Sequence, residues 1–238
     1  MPDCIRSTDL LLLPGMMCDE LMWQQQIDDL SPFTSVLVGD IGHSNSVETI
    51  ARTLLEEAPP RFALAGLSMG GIVALEMWRQ APHRIERLAL LDTNFRQDTA
   101  DRRHVRDKQI MQVQQGLLRD ILRDELKPRY LAQCNRSNLA LLDDLLRMGE
   151  RLGEEVFVRQ SLALRDRPDS TQTLATISCP TLVICGEEDE LCPVELHREM
   201  AQRIRGATLR VIENCGHICT MEQPNEVSVA LAAWLKET

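Results

Sequence analysis

The chain of 238 residues is poor in aromatic side chains, in positive charge and in long apolar runs. Three tryptophans, four phenylalanines and one tyrosine make up only 3% of it, too few for a base-stacking platform. Acidic residues outnumber basic ones, 36 to 26, for a formal net charge of −10. Nucleic acid selects basic surfaces, so this balance argues against such a partner. No stretch approaches the roughly twenty apolar residues of a membrane span. Leu10 to Leu13 is too short for a signal-peptide core, and Pro14-Gly15 stops it, so a cytoplasmic protein is expected. Eight cysteines are present, and in that compartment they are reduced thiols. Cys192, Cys215, His217 and Cys219 could suggest zinc, but they lack a paired C-x-x-C, so no metal site is expected.

What the chain does have is alternation. Short apolar runs at Leu10–Leu13, Ser35–Val38, Phe62–Ala65, Leu88–Leu91, Thr181–Cys185 and Thr208–Ile212 read as strands. Helical stretches follow at Glu20–Leu30, Val47–Ala58, Gly70–Gln80, Pro193–Arg203 and Pro224–Lys236, with Ser46 placed to cap the second. Strands alternating with helices predict an α/β fold, a parallel sheet covered on both faces. The runs LLLL, ALLD and TLVIC suit strands buried on both sides.

From about Arg96 to about Thr176 the alternation stops and no strand is evident. Ile110, Val113, Leu117 and Ile121 fall on one helical face, as do Leu139, Leu142, Leu145 and Leu146. Val156, Gln160 and Leu164 continue the pattern, punctuated by Lys127-Pro128 and Gly153. This predicts a helical insertion between two strands: residues 96–176, within a core of 1–95 and 177–238. Its Arg159, Arg165 and Arg167 read mostly as solvated charges, with anchoring of a substrate carboxylate as their alternative use.

Gly66-Leu-Ser68-Met-Gly70 joins a strand to a helix. A turn that sharp requires small residues two before and two after the serine, and it lifts the hydroxyl clear beside a helix N-terminus. A serine nucleophile needs a base, and the base needs an orienting acid. His217 sits on a Gly-containing loop between a strand and the last helix; His43, after the second strand, is its rival. His83 and His197 read as surface residues, and His104 lies in a charged stretch. Glu187, Glu188, Asp189 and Glu190 compete for the role of acid, unless they merely favour the N-terminus of the helix from Pro193.

These motifs resemble the α/β-hydrolase superfamily over nearly the whole chain. Gly186-Glu-Glu-Asp189 followed by Pro193 is similar to the superfamily's acid motif, and Gly216-His217 with Glu222 and Pro224 to its base motif. The resemblance therefore singles out Asp189 among the four acids. It implies a Ser68–His217–Asp189 triad, with the N–H groups of Met16 and Met69 as the oxyanion hole. Pro14 stands where many members have histidine. Asp19 to Trp23 resembles enol-lactone hydrolases and their relatives.

The insertion resembles the helical cap of many members, implying a roof over Ser68 more mobile than the sheet. The sheet is expected to have six parallel strands in the order second, first, third, fourth, fifth, sixth, without the superfamily's first two strands. The implied activity is cleavage of a small-molecule carboxylic ester, lactone or thioester through an acyl-enzyme, with no cofactor. Carbon–carbon bond hydrolysis by the same triad, and non-catalytic ligand binding, are the alternatives. Methionines 16, 17, 22, 69, 111 and 148 either soften the pocket or fill the core.

Overall fold

The computed structural model describes residues 8–236. The strands are β1 (Leu10–Leu13), β2 (Val36–Val38), β3 (Phe62–Leu67), β4 (Ile85–Leu91), β5 (Thr181–Gly186) and β6 (Thr208–Ile212). They form one sheet in the order β2-β1-β3-β4-β5-β6, and every pairing is parallel. β1, β3 and β5 are buried at every residue. The edge strands β2 and β6 are partly exposed, which limits continuous apolar character to the middle of the sheet. The expected absence of two earlier strands concerns residues before Asp9; residues 1–7 lie outside the described part.

Successive side chains along a strand point to opposite faces, so each strand feeds two cores. Leu11, Leu13, Leu64, Leu88 and Val183 join one of them. Leu10, Leu12, Ala63, Ala89 and Ile184 join the other. The first is covered by α2 (Val47–Glu57) and α3 (Met69–Gln80), the second by α1 (Gln24–Leu30) and α10 (Pro224–Lys236). In α2 the Ser46 hydroxyl accepts a hydrogen bond from Thr49 N–H, satisfying one of the helix's free amides.

Between β4 and β5 there is no strand among the described residues. The segment contains α4 (Ala100–Val113), α5 (Leu118–Asp120), a π-helical turn at Ile121–Leu126, a 3₁₀ turn at Lys127–Tyr130, α6 (Leu139–Arg165) and α7 (Thr171–Leu174). Helices α8 (Val194–Arg203) and α9 (Cys219–Glu222) complete the fold. The single face expected from Ile110 to Ile121 is broken at Gly116, whose φ of 85° ends the run. Leu117 consequently turns outward, while Ile110, Val113 and Ile121 remain buried. Leu139 also leaves its expected stripe and is 77% exposed, because it starts α6 beyond the reach of the core. Gly153 interrupts α6 at φ 79° and ψ 178°, a conformation only glycine adopts readily.

Candidate active site

The loops after β1, β3, β4, β5 and β6 converge at the carboxyl edge of the sheet, where open parallel sheets place their sites. Ser68 ends β3 with φ 53° and ψ −112°. A non-glycine residue held at positive φ costs on the order of 1–3 kcal/mol, so the surrounding structure must impose it. A Cβ on Gly66 would overlap the Gly70 carbonyl, and one on Gly70 would overlap that of Leu13. The two glycines therefore let strand, turn and helix pack at this distance, and they leave Ser68 half-buried at the start of α3.

His217 Nε2 lies 2.8 Å from Ser68 Oγ, and His217 Nδ1 lies 2.7 Å from Asp189 Oδ2. The other carboxylate oxygen accepts hydrogen bonds from Leu191 and Cys192 N–H, at 2.8 and 2.9 Å. Of the four acidic neighbours only Asp189 is buried. The helix α8 has no side-chain hydrogen-bonding cap from this cluster. Burial works against a charged His217, but the charge of Asp189 and the hydrogen bond to it outweigh burial and hold the imidazole well above its usual pKa. A hydroxyl bonded to an imidazole, itself oriented by a carboxylate, is the arrangement in which the ring accepts the hydroxyl proton as the oxygen attacks.

Met16 follows Gly15, on which a Cβ would lie 3.4 Å from Leu67 Cδ2 and 3.6 Å from Ser68 Cβ. Met69 is the first residue of α3. Neither amide donates a hydrogen bond to another described residue. Of the methionines named above, Met16 lines the cavity over Ser68. Met17, Met22, Met69 and Met148 are core residues, and Met111 is exposed.

That cavity has a volume of about 630 Å³, in the range of small-molecule sites. Ser68, His217, Met16, Cys192, Tyr130 and Leu164 contribute to its wall, the last two from the helical segment. His43 is exposed, and its Nδ1 meets Asp40 O at 3.1 Å, away from this cavity. Cys192 joins Asp189 and His217, with ligand atoms within 4.8 Å of one another. Cys215 and Cys219 do not join that group. Burial raises the Cys192 thiol above its ordinary pKa, whereas a cysteine ligand must be a thiolate.

Two expectations are corrected. His197 is not a surface residue but fully buried. Its Nε2 accepts a hydrogen bond from Thr93 N–H at 3.0 Å, and Nδ1 faces Pro193 O at 3.2 Å. Burial pushes its pKa down to about 4, so it is a neutral structural acceptor; the sequence could not reveal the amide it serves, in the loop after β4. Arg167 is not a solvated charge either. It is buried and paired with Asp98 at 2.7 Å. Arg159 donates to Gly42 O at 2.7 Å, and Arg165 pairs with Asp107 and Asp166.

Sequence reasoning missed Asp92. It follows β4 directly, at φ 43°, and is fully buried. Its oxygens accept hydrogen bonds from Gly186 N–H at 2.9 Å and Cys219 N–H at 3.1 Å. It thus ties together the loops that carry Asp189 and His217. Burial and the nearby charge of Asp189 push its pKa up to about 7. The available signal was a carboxylate at the end of an otherwise apolar run, Leu88-Ala-Leu-Leu-Asp92. Tyr130, Glu222 and Lys127 were missed as braces. Tyr130 O accepts from His217 N–H at 2.7 Å. Glu222 accepts from Gly216 and Ala132 N–H. Buried Lys127 donates to Met17 O at 2.9 Å.

Comparison with known proteins agrees with this architecture. The model of the alpha/beta hydrolase family matches residues 10–231. The (E)-2-((N-methylformamido)methylene)succinate hydrolase of Acinetobacter baylyi is 25% identical, over 96% of this chain and 90% of its own. The pimeloyl-(acyl-carrier protein) methyl ester esterase of Photobacterium profundum is 26% identical, over 97% and 96%. Among solved structures, a thermophilic esterase from Thermogutta terrifontis superposes with a TM-score of 0.88 at 28% identity, covering 96% of this chain and 89% of that one. No helix among the described residues is long and apolar enough to cross a membrane. The chain is an enzyme of the alpha/beta hydrolase family.

Proposed function

We propose that the chain is a serine hydrolase that cleaves a carboxylic ester, lactone or thioester, with Ser68 as nucleophile, His217 as base and Asp189 as the orienting acid. The observation that carries this reading is the unbroken chain of short contacts, 2.8 Å and 2.7 Å, from Ser68 Oγ through His217 to Asp189. Ser68 Oγ attacks the carbonyl carbon while His217 Nε2 takes its proton. The N–H groups of Met16 and Met69 receive the negative oxygen of the tetrahedral intermediate. The intermediate collapses to an acyl-serine, and His217 returns the proton to the departing alcohol, thiol or enol. Water then attacks the acyl-serine by the same route and frees the acid.

The esterases named above support ester chemistry at this degree of similarity. Residues 96–176 serve as the cap, since Tyr130 and Leu164 supply part of the cavity wall. Labelling with a fluorophosphonate probe, combined with hydrolysis of p-nitrophenyl esters, tests the reading. Wild type should be labelled at Ser68 and should turn over the esters. Ser68→Ala should fold normally, lose the label, and lose about four to six orders of magnitude in kcat. Absence of labelling in the wild type would refute the serine mechanism.

A further inference from the structure

The cavity over Ser68 is lined by four arginines and four acids, and its positive charge is concentrated around Asp98 on the helical wall. Asp98 is buried between two buried arginines: its Oδ2 meets Arg106 Nε at 2.6 Å and its Oδ1 meets Arg167 Nη1 at 2.7 Å. One carboxylate thus offsets two guanidinium groups. Arg167 is further fixed by carbonyls, its Nε on Arg96 O and its Nη1 on Leu164 O. Nη1 of Arg106 touches the Met16 sulfur at 3.8 Å, beside the proposed oxyanion amide. Among the described residues, Nη2 of neither arginine has a hydrogen-bond partner.

Two further arginines line the same cavity, Arg102 half-buried and Arg129 exposed. Neither guanidinium forms an ion pair with another described residue. Of the remaining acids of the lining two are ion-paired, and Glu125 is bonded to a neutral amide. Asp124 pairs with Arg123 and Glu190 with Arg136, both outside the lining, and Glu125 accepts from Gln109. Burying a positive charge without a partner is costly. Burial accordingly presses the Arg106 and Arg167 pKa values below their ordinary level, against the pull of Asp98. A cluster with two guanidinium groups on one carboxylate is suited to a ligand that brings a second negative charge to it.

We infer that the hydrolase selects substrates carrying a carboxylate near the scissile ester, received by Arg106, Arg167 and Arg102 on the helical wall of the cavity. This rests on the proposed serine mechanism and adds the substrate class to it. Paired N–H groups of a guanidinium suit a carboxylate's two oxygens. The position of Arg106 against Met16 sets that carboxylate within a few bonds of the carbonyl under attack.

The test compares the mono-p-nitrophenyl ester of adipic acid, which is anionic, with p-nitrophenyl hexanoate, which has the same acyl length and no charge. Hydrogen bonds to a charged group contribute about 1.5–3 kcal/mol, so wild type should prefer the anionic ester by about 10- to 100-fold in kcat/KM. Arg102→Ala and Arg106→Lys should each shrink that ratio, chiefly through KM. The lysine keeps a cation beside Asp98 and so avoids an unpaired buried carboxylate. Should Arg106→Lys fail to fold, Arg102→Ala decides alone, because no ion pair holds Arg102. Equal kcat/KM for the two esters in wild type would overturn the inference. So would a ratio that neither variant changes. Fluorophosphonate labelling of Ser68 in the same preparations keeps the two questions apart: a labelled enzyme without charge preference sinks the carboxylate site alone, and an unlabelled one sinks the mechanism.

Discussion

The turn that presents Ser68 depends mostly on local sequence, and the loop that presents His217 depends mostly on distant partners. The serine turn is shaped by its own neighbours, since Gly66 and Gly70 permit the close packing and α3 begins at the next residue; from further away Ser68 N–H donates to Leu91 O at 2.9 Å and Thr93 Oγ1 donates to Ser68 O at 2.6 Å. The histidine loop is held from a distance. Its backbone is bonded by Tyr130 O at His217, by Glu222 at Gly216 and by Asp92 at Cys219. Its ring is held by Asp189. A nucleophile made by one turn can be placed by local sequence, whereas a base that must meet it from another strand needs a frame. Part of that frame comes from the helical segment, since Tyr130 lies there, and Lys127 and Gln160 of the same segment hold Met17 in the loop after β1. The segment therefore does more than supply part of the cavity wall. Replacing it with a short loop would remove the acceptor for His217 N–H, so it does not open independently of the site at every point.

The sharpest way to break this contrast is at Asp189. Asp189→Asn keeps the shape but removes the charge, and kcat should fall by about a thousandfold or more. The pH profile carries the diagnostic. Asp189 holds the His217 pKa above its ordinary value against the effect of burial. The base form is lost as pH falls through that raised value. Without the carboxylate, burial is left to act and the acidic limb of kcat/KM should move to lower pH. A profile that does not move would mean that Asp189 does not set the ionisation of His217.

Asp92 tests the brace shared by the acid and base loops. In Asp92→Asn one of the two amides, Gly186 N–H or Cys219 N–H, faces an NH₂ instead of an oxygen, costing about 1–3 kcal/mol. The sign with pH follows from the raised pKa of Asp92. The folded protein holds this proton up to about pH 7, while the unfolded chain releases it near the ordinary carboxylate value of about 3.9. Stability from this group is therefore present below that value and is lost as pH rises towards 7. The asparagine variant has no such loss. Urea unfolding should show a larger deficit for the variant at pH 5 than at pH 8, and an equal deficit at both would remove Asp92 as a titrating brace.

The same contrast explains what the sequence could reveal. The six strands and the Ser68 turn were legible because each depends on neighbours in the chain: apolar runs, a glycine two positions either side, a helix to follow. Their boundaries moved by only a few residues. Arg167 read as surface charge because its burial against Asp98 is a property of the folded segment and leaves no periodic trace. His197 was misread for the same reason, its partner Thr93 lying on a different strand end. The break at Gly116 was missed because helical spacing extends across a glycine when only the apolar positions are followed.

The smallest effect, and the finest test of the contrast, lies within α6 itself. Gln160 is buried, and its Oε1 accepts a hydrogen bond from Met17 N–H at 2.8 Å, next to the proposed oxyanion amide of Met16. Leu139, at the other end of the helix, is 77% exposed. Gln160→Leu strands the Met17 amide, so it should cost about 1–3 kcal/mol of stability. The loosened loop should lower kcat several-fold with little change in KM, because an oxyanion contact is made in the transition state. Leu139→Asp should change stability by no more than about 0.5 kcal/mol and leave kcat alone. It loses no packing, and its new charge lies in the first turn, where the helix dipole favours an anion. The Asn138 cap, which accepts from Leu141 N–H, is untouched. Thermal unfolding and ester kinetics on both variants decide the matter. If Leu139→Asp lowers kcat as much as Gln160→Leu, the whole helix acts on the site as a unit, and the division between a bracing inner end and a free outer end is wrong.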